Sequence, residues 1–308
     1  MMSVKRAQKI RQRHTWDDIL FEVITKLLLI FFVVIVAYPI YFIIVASFSD
    51  PVYANNGSIL LFPKGFTLMG YERVFEDERI WIGYLNTIIY TVSGTALGTA
   101  VVLLAGYAFS RKDLPGSGIL MKLFIFTMYF SGGMIPLFLV VNEMGLVNTR
   151  WSVILLGCVS VYNIIIVRSF MANTISDELM DAATIDGCGN GMFFFKIVLP
   201  LSKAVIAVMV LYIAVSYWNG YFNAMIFLTD TDKYPLQLFL RQILLMATQS
   251  GSDLNLIQQD PELADQLATS AQLVKYGMIV IATAPIICLY PFVQKYFVKG
   301  VMIGSVKG

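Results

Sequence analysis

The chain contains 308 residues, of which 58% are apolar and 14% are charged, whereas roughly 25% are charged in an average soluble domain. Together with a mean hydropathy of +0.73, this composition excludes a single soluble globular domain and predicts membrane spans of about 20 residues. The formal net charge is only +2, and the three cysteines are too widely spaced for a disulfide framework or a zinc site. We expect Cys158, Cys188 and Cys288 to fill core positions instead.

Six uninterrupted apolar segments follow one another along the chain. They cover residues 27–48, 84–109, 123–141, 151–167, 204–228 and 276–293. Because hydrocarbon offers the backbone no hydrogen-bond partner, each segment is predicted to be a transmembrane helix. Prolines inside the segments are predicted to mark kinks, at Pro39, Pro136, Pro285 and Pro291. The sequence therefore predicts an all-α integral membrane protein with six transmembrane helices.

Lysine and arginine are distributed unequally between the two sides of the predicted membrane. Fifteen of the 22 Lys and Arg residues fall on the side that holds both termini, and seven fall on the other. Because cytoplasmic loops carry the excess of positive charge, we expect a multi-pass protein of the bacterial cytoplasmic membrane with both termini in the cytoplasm. The basic start of the chain has a nucleic-acid interpretation, but beside a membrane helix we interpret it as a topology determinant that touches anionic lipid. We expect no nucleic-acid partner.

The spans and loops divide the chain into four regions. These are a basic cytoplasmic segment at 1–26, the first helix with an external loop at 27–83, a five-helix core at 84–298, and a cytoplasmic tail at 299–308. Within the core, the cytoplasmic loop 171–203 and the external loop 229–275 are longer than most other connections, and we expect function to concentrate in such loops. Gly94 and Gly98 in the second span are predicted to allow close helix packing.

The spans lack the residues that several membrane functions require. No charged side chain lies in the central part of a span, which disfavours a proton relay or a voltage sensor. There is no Gly-x-x-x-x-Gly-Lys loop for nucleotide phosphates, and the single histidine, His14, lies in the basic N-terminal segment. We therefore predict no catalytic residue, no metal site and no enzymatic activity. Energy for uphill transport has to come from a partner.

The cytoplasmic loop between the fourth and fifth spans carries the sharpest pattern. From residue 173 to residue 200 it reads NTISDELMDAATIDGCGNGMFFFKIVLP. Thr174 with Asp177 three residues later is predicted to start a helix as a variant capping box, and Gly187 to end it in the left-handed conformation. A second short helix is predicted over 191–199, which the following proline interrupts. Its apolar side chains and the acidic first helix are typical of an element that fits a groove in another protein.

This loop resembles the motif Glu-Ala-Ala-x3-Gly-x9-Ile-x-Leu-Pro of binding-protein-dependent ABC importer permeases. The matching positions, which are the predicted ATPase-docking residues, are Asp181, Ala182, Ala183, Gly187, Ile197, Leu199 and Pro200. Asp181 replaces the usual glutamate and keeps the carboxylate on a side chain one methylene shorter. The resemblance extends over 84–308 and fits best the second permease of carbohydrate importers, such as that of the maltose system. Segments 129–136, 145–149 and 296–308 resemble the LplC/YtcP-type branch.

The resemblance implies the type I ABC importer permease fold, with a cytoplasmic coupling helix at about 177–190. It implies a complex with a second, homologous permease subunit, a cytoplasmic ATPase dimer and an extracytoplasmic solute-binding protein, and it implies an oligosaccharide or polysaccharide fragment as substrate. This chain would bind no cofactor, since ATP and Mg²⁺ belong to the partner ATPase. Asp181 is the expected ion-pair partner of a basic residue on that ATPase.

Two further regions gain an interpretation from the resemblance. The tail is expected to reach the ATPase interface through Lys299, Gly300, Lys307 and Gly308, although a disordered end is an alternative. The external loop 229–275 is polar and acidic and corresponds to the loop that enters the cleft of the binding protein, with a flexible spacer as the alternative.

One stripe of the fifth span carries polar and aromatic side chains, at Tyr212, Ser216, Asn219 and Asn223, with Trp218 beside them. Amides and hydroxyls bind sugar hydroxyl groups, and aromatic rings cover the apolar faces of sugars. The stripe therefore predicts a lining for a substrate pathway. The same aromatic residues are also consistent with an interfacial belt at the outer end of the span, and both interpretations remain open.

Three alternatives to a sugar importer remain at this point. A stand-alone channel or facilitator would show rings of pore-lining charge or an inverted repeat, and the sequence shows neither. An ABC importer permease for amino acids, phosphate or metals would keep the same cytoplasmic loop. A membrane scaffold that transports nothing would keep it as well.

Overall fold

A computed structural model describes residues 16–250 and 274–288, and within those ranges the regular secondary structure is helical throughout. The chain forms two compact units, Met1–Leu68 and Met69–Gly308. An all-helical structure is what the long apolar segments require, because a helix satisfies its own backbone hydrogen bonds. The prediction of an all-α membrane protein is confirmed.

The first unit contains the long helix α1 (Trp16–Ser47) and the short helix α2 (Pro51–Asn55). Helix α1 begins earlier than predicted and continues through Pro39 without a break. Only 6% of its most apolar stretch is buried, so its surface suits lipid or another membrane helix. After α2 the chain returns, and the backbone N–H of Asp50 donates to the carbonyl of Lys64 at 3.0 Å.

The second unit is built around one central helix. Its helices are α3 (Met69–Glu76), α4 (Glu78–Ser110), α5 (Ser117–Tyr129), α6 (Met134–Glu143), α7 (Arg150–Cys158), α8 (Val161–Thr174), α9 (Asp177–Ile185), α10 (Asn190–Leu201), α11 (Lys203–Trp218), α12 (Phe222–Phe227), α13 (Leu236–Ser250) and α14 (Val274–Cys288). Helix α4 packs against α7, α8, α11 and α13. The main buried cluster includes Tyr90, Val102, Ile164, Val167 and Met209.

Two described helices, α1 and α4, are long and apolar enough to cross a membrane on their own, and the number rises to five if each bent pair forms one span. The bent pairs are α5 with α6 (114°), α7 with α8 (43°) and α10 with α11 (83°). The sixth predicted span lies only partly in the described residues, where α14 covers its first part. The breaks within these pairs are the main departure from the prediction of one helix per span.

The third predicted span, 123–141, is wrong as a single helix. Helix α5 ends at Tyr129 because the backbone is extended at Phe130, and α6 begins at Met134 after Gly133, whose φ is +93°. Pro136 therefore lies in the first turn of α6, where a proline is tolerated, and does not kink a continuous helix. In the fourth span the break contains no proline, and the Ser160 hydroxyl caps α8 by accepting the Asn163 N–H at 3.3 Å.

Of the cysteines, only Cys158 fills a core position among the described residues. Cys188 is half-buried and Cys288 is exposed, so the expectation of three core cysteines is wrong for Cys288.

Candidate functional site

The predicted docking element is an ordered helix, turn and helix, and we call residues 176–190 the docking segment. Helix α9 begins after Ser176, whose hydroxyl accepts the backbone N–H of Leu179 at 3.4 Å. A hydrogen bond from Ser176 also lowers the pKa of Glu178. The prediction that Thr174 caps this helix is wrong. Thr174 is the last residue of α8, because the N–H of Ile175 still donates to the carbonyl of Met171 at 2.9 Å.

Gly187 ends α9 as predicted, with a φ of +75°. The N–H of Cys188 donates to the carbonyl of Ala183 at 2.8 Å, and the N–H of Gly187 donates to the carbonyl of Thr184 at 3.0 Å. These two bonds define a Schellman motif. The left-handed glycine lets the chain reverse tightly between α9 and α10.

Pro200 does not interrupt the second helix, contrary to the prediction. Helix α10 continues to Leu201 and contains a π-helical turn at Phe194–Val198. The wider turn accommodates a residue that has no N–H and whose ring would clash with the carbonyl four residues earlier. The sharp bend comes after Leu201, where α10 and α11 meet at 83°.

The predicted docking residues divide into an anchored group and an outward-facing group. Ala183 is buried, and Ile197 and Leu199 pack partly buried against the core. The remaining members of the motif are exposed, at Asp181, Ala182, Gly187 and Pro200. The motif thus fastens the segment to the core on one side and presents a carboxylate on the other.

Sequence reasoning missed Ile185 as a site residue. Its side chain is 86% exposed, and it follows Asp181 by four residues, so both lie on one face of α9. An isoleucine at that exposure is costly in water. The helical spacing from Asp181 would have identified it.

Two basic residues of the loop after α4 were also missed, because they were counted only as topology determinants. Arg111 donates from Nη1 to Asn190 Oδ1 at 2.8 Å, and Lys112 Nζ lies 2.6 Å from Asp177 Oδ2. Both contacts join residues more than 60 positions apart in the chain. The sequence alone gave no sign of either pairing.

A pocket of about 360 Å³ lies where α11 ends and α12 begins. Helix α11 stops at Trp218, so the four predicted stripe residues do not share one helix, and Asn223 lies on α12. The turn nevertheless gathers three of them, since the pocket is lined by Ser216, Asn219 and Asn223, with Tyr221 among the aromatic residues.

The other two predicted pathway residues lie elsewhere. Tyr212 is 44% exposed and does not line this pocket. Trp218 is buried, and its Nε1 donates to the carbonyl of Ala282 at 2.9 Å. Trp218 is therefore a core residue that does not line this pocket, and its burial argues against both the pathway and the belt interpretations.

A basic side chain lies over one of the aromatic rings that line the pocket. The guanidinium carbon of Arg241 on α13 lies 4.8 Å from the centroid of the Tyr221 ring. Such a stacked arginine keeps its N–H donors free for other partners. Among the described residues, no carboxylate forms an ion pair with Arg241.

A larger cavity of about 670 Å³ lies between α4, α10 and α11. Its lining is apolar except for Thr91, Thr95 and Thr99, whose hydroxyls have no hydrogen-bond partner among the described residues. It contains neither amides nor charged groups. Its chemistry therefore suits a sugar less well than the smaller pocket does.

Apolar helices, the motif of the docking segment and a polar pocket between helices are together typical of a membrane permease. No family model matches the chain. The chain is 39% identical over 289 residues to the polygalacturonan/rhamnogalacturonan transport system permease protein YtcP of Bacillus subtilis (strain 168). This alignment covers 94% of the chain and 99% of that protein. It is also 39% identical over 272 residues to protein LplC of the same strain, with 88% and 89% covered.

A solved structure agrees with these relatives. A chain of a bacterial ABC transporter involved in the import of the acidic polysaccharide alginate shares 33% of its sequence with this chain at a TM-score of 0.79, and the match covers 92% of this chain and 99% of that one. The chain belongs to the carbohydrate-type permeases of ABC importers, as the motif at 181–200 implied.

Proposed function

We propose that the chain is the transmembrane subunit of an ATP-driven, binding-protein-dependent importer of oligosaccharides or polysaccharide fragments. It couples closure of a cytoplasmic ATPase dimer to alternating access of the transmembrane pathway. The observation that carries this proposal is the docking segment, which combines a core-anchored face with an exposed acidic and apolar face at the positions of the family's motif. ATP and Mg²⁺ are bound by the ATPase, and the residues of this chain dock on the ATPase and guide the substrate.

The exposed surface of α9 indicates what kind of partner docks on it. Asp181 and Ile185 are exposed on one face, while Ala183 holds another face on the core. A partner that fits this surface offers an apolar groove for Ile185 and a basic rim for Asp181. We propose the ATPase dimer as the partner of this surface, and family membership supports a second, homologous permease subunit and an external solute-binding protein as further partners.

The proposed orientation places the docking segment and both termini in the cytoplasm. The tail residues predicted to touch the ATPase, Lys299, Gly300, Lys307 and Gly308, lie outside the described residues. Most of the external loop between α13 and α14 lies outside them as well. Contact of the tail with the ATPase and contact of this loop with the binding protein stay predictions.

We further propose that the pocket at the end of α11 contacts the substrate and that the substrate is acidic. Ser216, Asn219 and Asn223 supply groups for sugar hydroxyls, and the ring of Tyr221 supplies a stacking face. Arg241 lies over that ring and has donors for a carboxylate. In support, one relative is named for polygalacturonan and the solved neighbour for alginate, both of which carry carboxylates.

The test is the ATPase activity of the whole assembly in nanodiscs, with the binding protein loaded with an oligogalacturonate, an alginate oligomer or the neutral maltotriose. We expect stimulation by an acidic oligosaccharide, reduced in Arg241→Gln and largely kept in Arg241→Lys. Stimulation by maltotriose alone would refute the proposal of an acidic substrate but not the proposal of a sugar importer. Stimulation by a non-sugar solute only would refute the sugar as well.

Docking is tested separately by capture of the assembly on a tagged ATPase. Ile185→Ser is expected to weaken capture, because it removes the apolar group that enters the groove. Ile119→Ser is the matched control, since Ile119 is also exposed, at 69%, but lies on α5 outside the docking segment. Equal capture of both variants, or no capture of the unaltered chain, contradicts the docking proposal.

A further inference from the structure

The side chain of Arg111 connects the end of the central helix α4 to the start of α10. Its Nη1 donates to the Tyr107 hydroxyl at 3.0 Å and to Asn190 Oδ1 at 2.8 Å. Its Nε donates to Asp113 Oδ1 at 2.7 Å, and Nη2 donates to the other oxygen of the same carboxylate. The Arg111 side chain is only 16% exposed, whereas its partners Asp113 and Asn190 lie at the surface.

The geometry makes this connection rigid. A guanidinium offers five donors in one plane, and the two-pronged bond to Asp113 fixes that plane. The same carboxylate raises the pKa of Arg111. A second contact runs in parallel, because the Tyr107 ring packs 5.0 Å, centroid to centroid, from the ring of Phe194, which is buried on α10.

The neighbouring pair of Lys112 and Asp177 provides a contrast. Lys112 Nζ lies 2.6 Å from Asp177 Oδ2, but the two side chains are 83% and 56% exposed. Exposed ion pairs contribute little because water and salt screen them. Among the described residues these two links join the loop after α4 to the docking segment, and the one through Arg111 has the less exposed cation and the larger number of hydrogen bonds.

The bond between Arg111 and Asn190 joins the docking segment to the central helix α4. Asn190 is the last residue of the docking segment and the first residue of α10, just after the turn at Gly187. Helix α4 packs against α7, α8, α11 and α13, so a displacement of its end is shared with most of the second unit. Coupling of this kind requires a physical connection between the two sites.

We propose that Arg111 is a positioning residue that transmits movement of the docking segment to helix α4 through its bond to Asn190. The inference rests on the proposed function, in which the docking segment contacts the ATPase. Without the Arg111 bond, the ATPase still binds and hydrolyses ATP, but its cycle no longer responds fully to the loaded binding protein.

The experiment measures the ratio of ATPase activity with and without oligogalacturonate-loaded binding protein, using the complete assembly in nanodiscs. Arg111→Gln and Asn190→Leu are each expected to lower this ratio about fivefold or more, the size of a typical coupling energy. The double variant is expected to be no worse than either single one, because both remove the same bond. Asn190→Asp keeps an acceptor oxygen and is expected to stay close to the unaltered protein, as is the exposed control Lys112→Gln.

Two further readouts distinguish a purely structural role from a role in coupling. They are the thermal unfolding midpoint and the amount of ATPase retained on purification. Both are expected to be unchanged in Asn190→Leu while the activity ratio falls. If Arg111→Gln fails to fold, the comparison of Asn190→Leu with Asn190→Asp decides alone.

Equal ratios in Asn190→Leu and Asn190→Asp, or losses in the Arg111 and Asn190 variants that simply add, would overturn the inference and leave the proposed function intact. Failure of the proposed function is recognised earlier, because the unaltered assembly would then show no stimulation or would not retain the ATPase.

Discussion

At the scale of single residues, the turn of the docking segment depends on one glycine. Gly187 has a φ of +75°, and a Cβ there would meet no atom within 4 Å, so conformation and not space limits substitution. Gly187→Val is expected to cost about 1–2 kcal/mol, to distort the turn and to abolish substrate-stimulated ATP hydrolysis, while insertion into the membrane persists.

Gly189→Val is the matched control for this prediction. Gly189 lies two residues on, has equally open surroundings and an ordinary φ of −71°. A side chain at Gly189 is therefore expected to leave stimulation intact. If both valine variants hydrolyse ATP like the unaltered assembly, the left-handed turn has no part in docking.

The cap of the docking helix gives a second residue-scale prediction. Ser176→Ala is expected to remove about 1 kcal/mol of helix stability, because the N–H of Leu179 loses its acceptor. Hydrogen exchange of the first-turn amides of α9 measures this change directly. Thr174→Ala is expected to leave that exchange unchanged, since Thr174 belongs to α8, and faster exchange in this variant instead would restore the capping box predicted from sequence.

At the scale of helices, close packing around Tyr217 confirms the role predicted for Gly94 and Gly98. A Cβ on Gly94 would lie 2.3 Å from the Tyr217 ring, and one on Gly98 would lie 3.2 Å from the carbonyl oxygen of Cys158. Gly157 approaches the same ring from α7, where a Cβ would lie at 2.8 Å. Glycines thus let three helices meet closely around one tyrosine.

Gly94→Ala is consequently expected to destabilise the protein by about 1–3 kcal/mol, since the buried ring has little freedom to move away. The thermal unfolding midpoint in nanodiscs measures the effect. Gly118→Ala is the control, because Gly118 lies in α5 and a Cβ there meets nothing within 4 Å, so that variant is expected to be neutral or slightly stabilising. A midpoint for Gly94→Ala equal to that of the control contradicts the packing described here.

Composition predicts which segments are helical, but it does not predict where they bend. A straight span and a bent pair bury the same apolar residues, so hydropathy does not distinguish between them. The break before α6 depends on the φ of Gly133, and the break before α8 depends on a bond from Asn163 to Ser160. Proline alone does not locate the breaks, since Pro39 lies inside an unbroken helix.

At the scale of the whole molecule, the helix and the glycine turn of the docking segment were predictable because their sequence pattern is local. The contacts that hold it were not, because Arg111 and Asn190 are 79 residues apart, and only the packed helices bring them together. The pocket illustrates an intermediate case. Its residues Ser216, Asn219 and Asn223 were predicted to share one face of a helix, but that helix ends before Asn223. The turn after Trp218 brings them together instead.

The orientation of the molecule yields the last prediction. The larger share of positive charge falls on the predicted side of the membrane that holds the docking segment and both termini, so Cys188 in the turn after α9 is expected on the cytoplasmic side. Asp232 follows α12, its side chain is exposed, and it is expected on the opposite side. In a chain whose other cysteines are replaced, a membrane-impermeant maleimide should label Asp232→Cys in intact cells and label Cys188 only after the membrane is permeabilised. The reverse pattern would place the docking segment outside the cell, where no ATPase can reach it, and would refute both the topology and the proposed coupling.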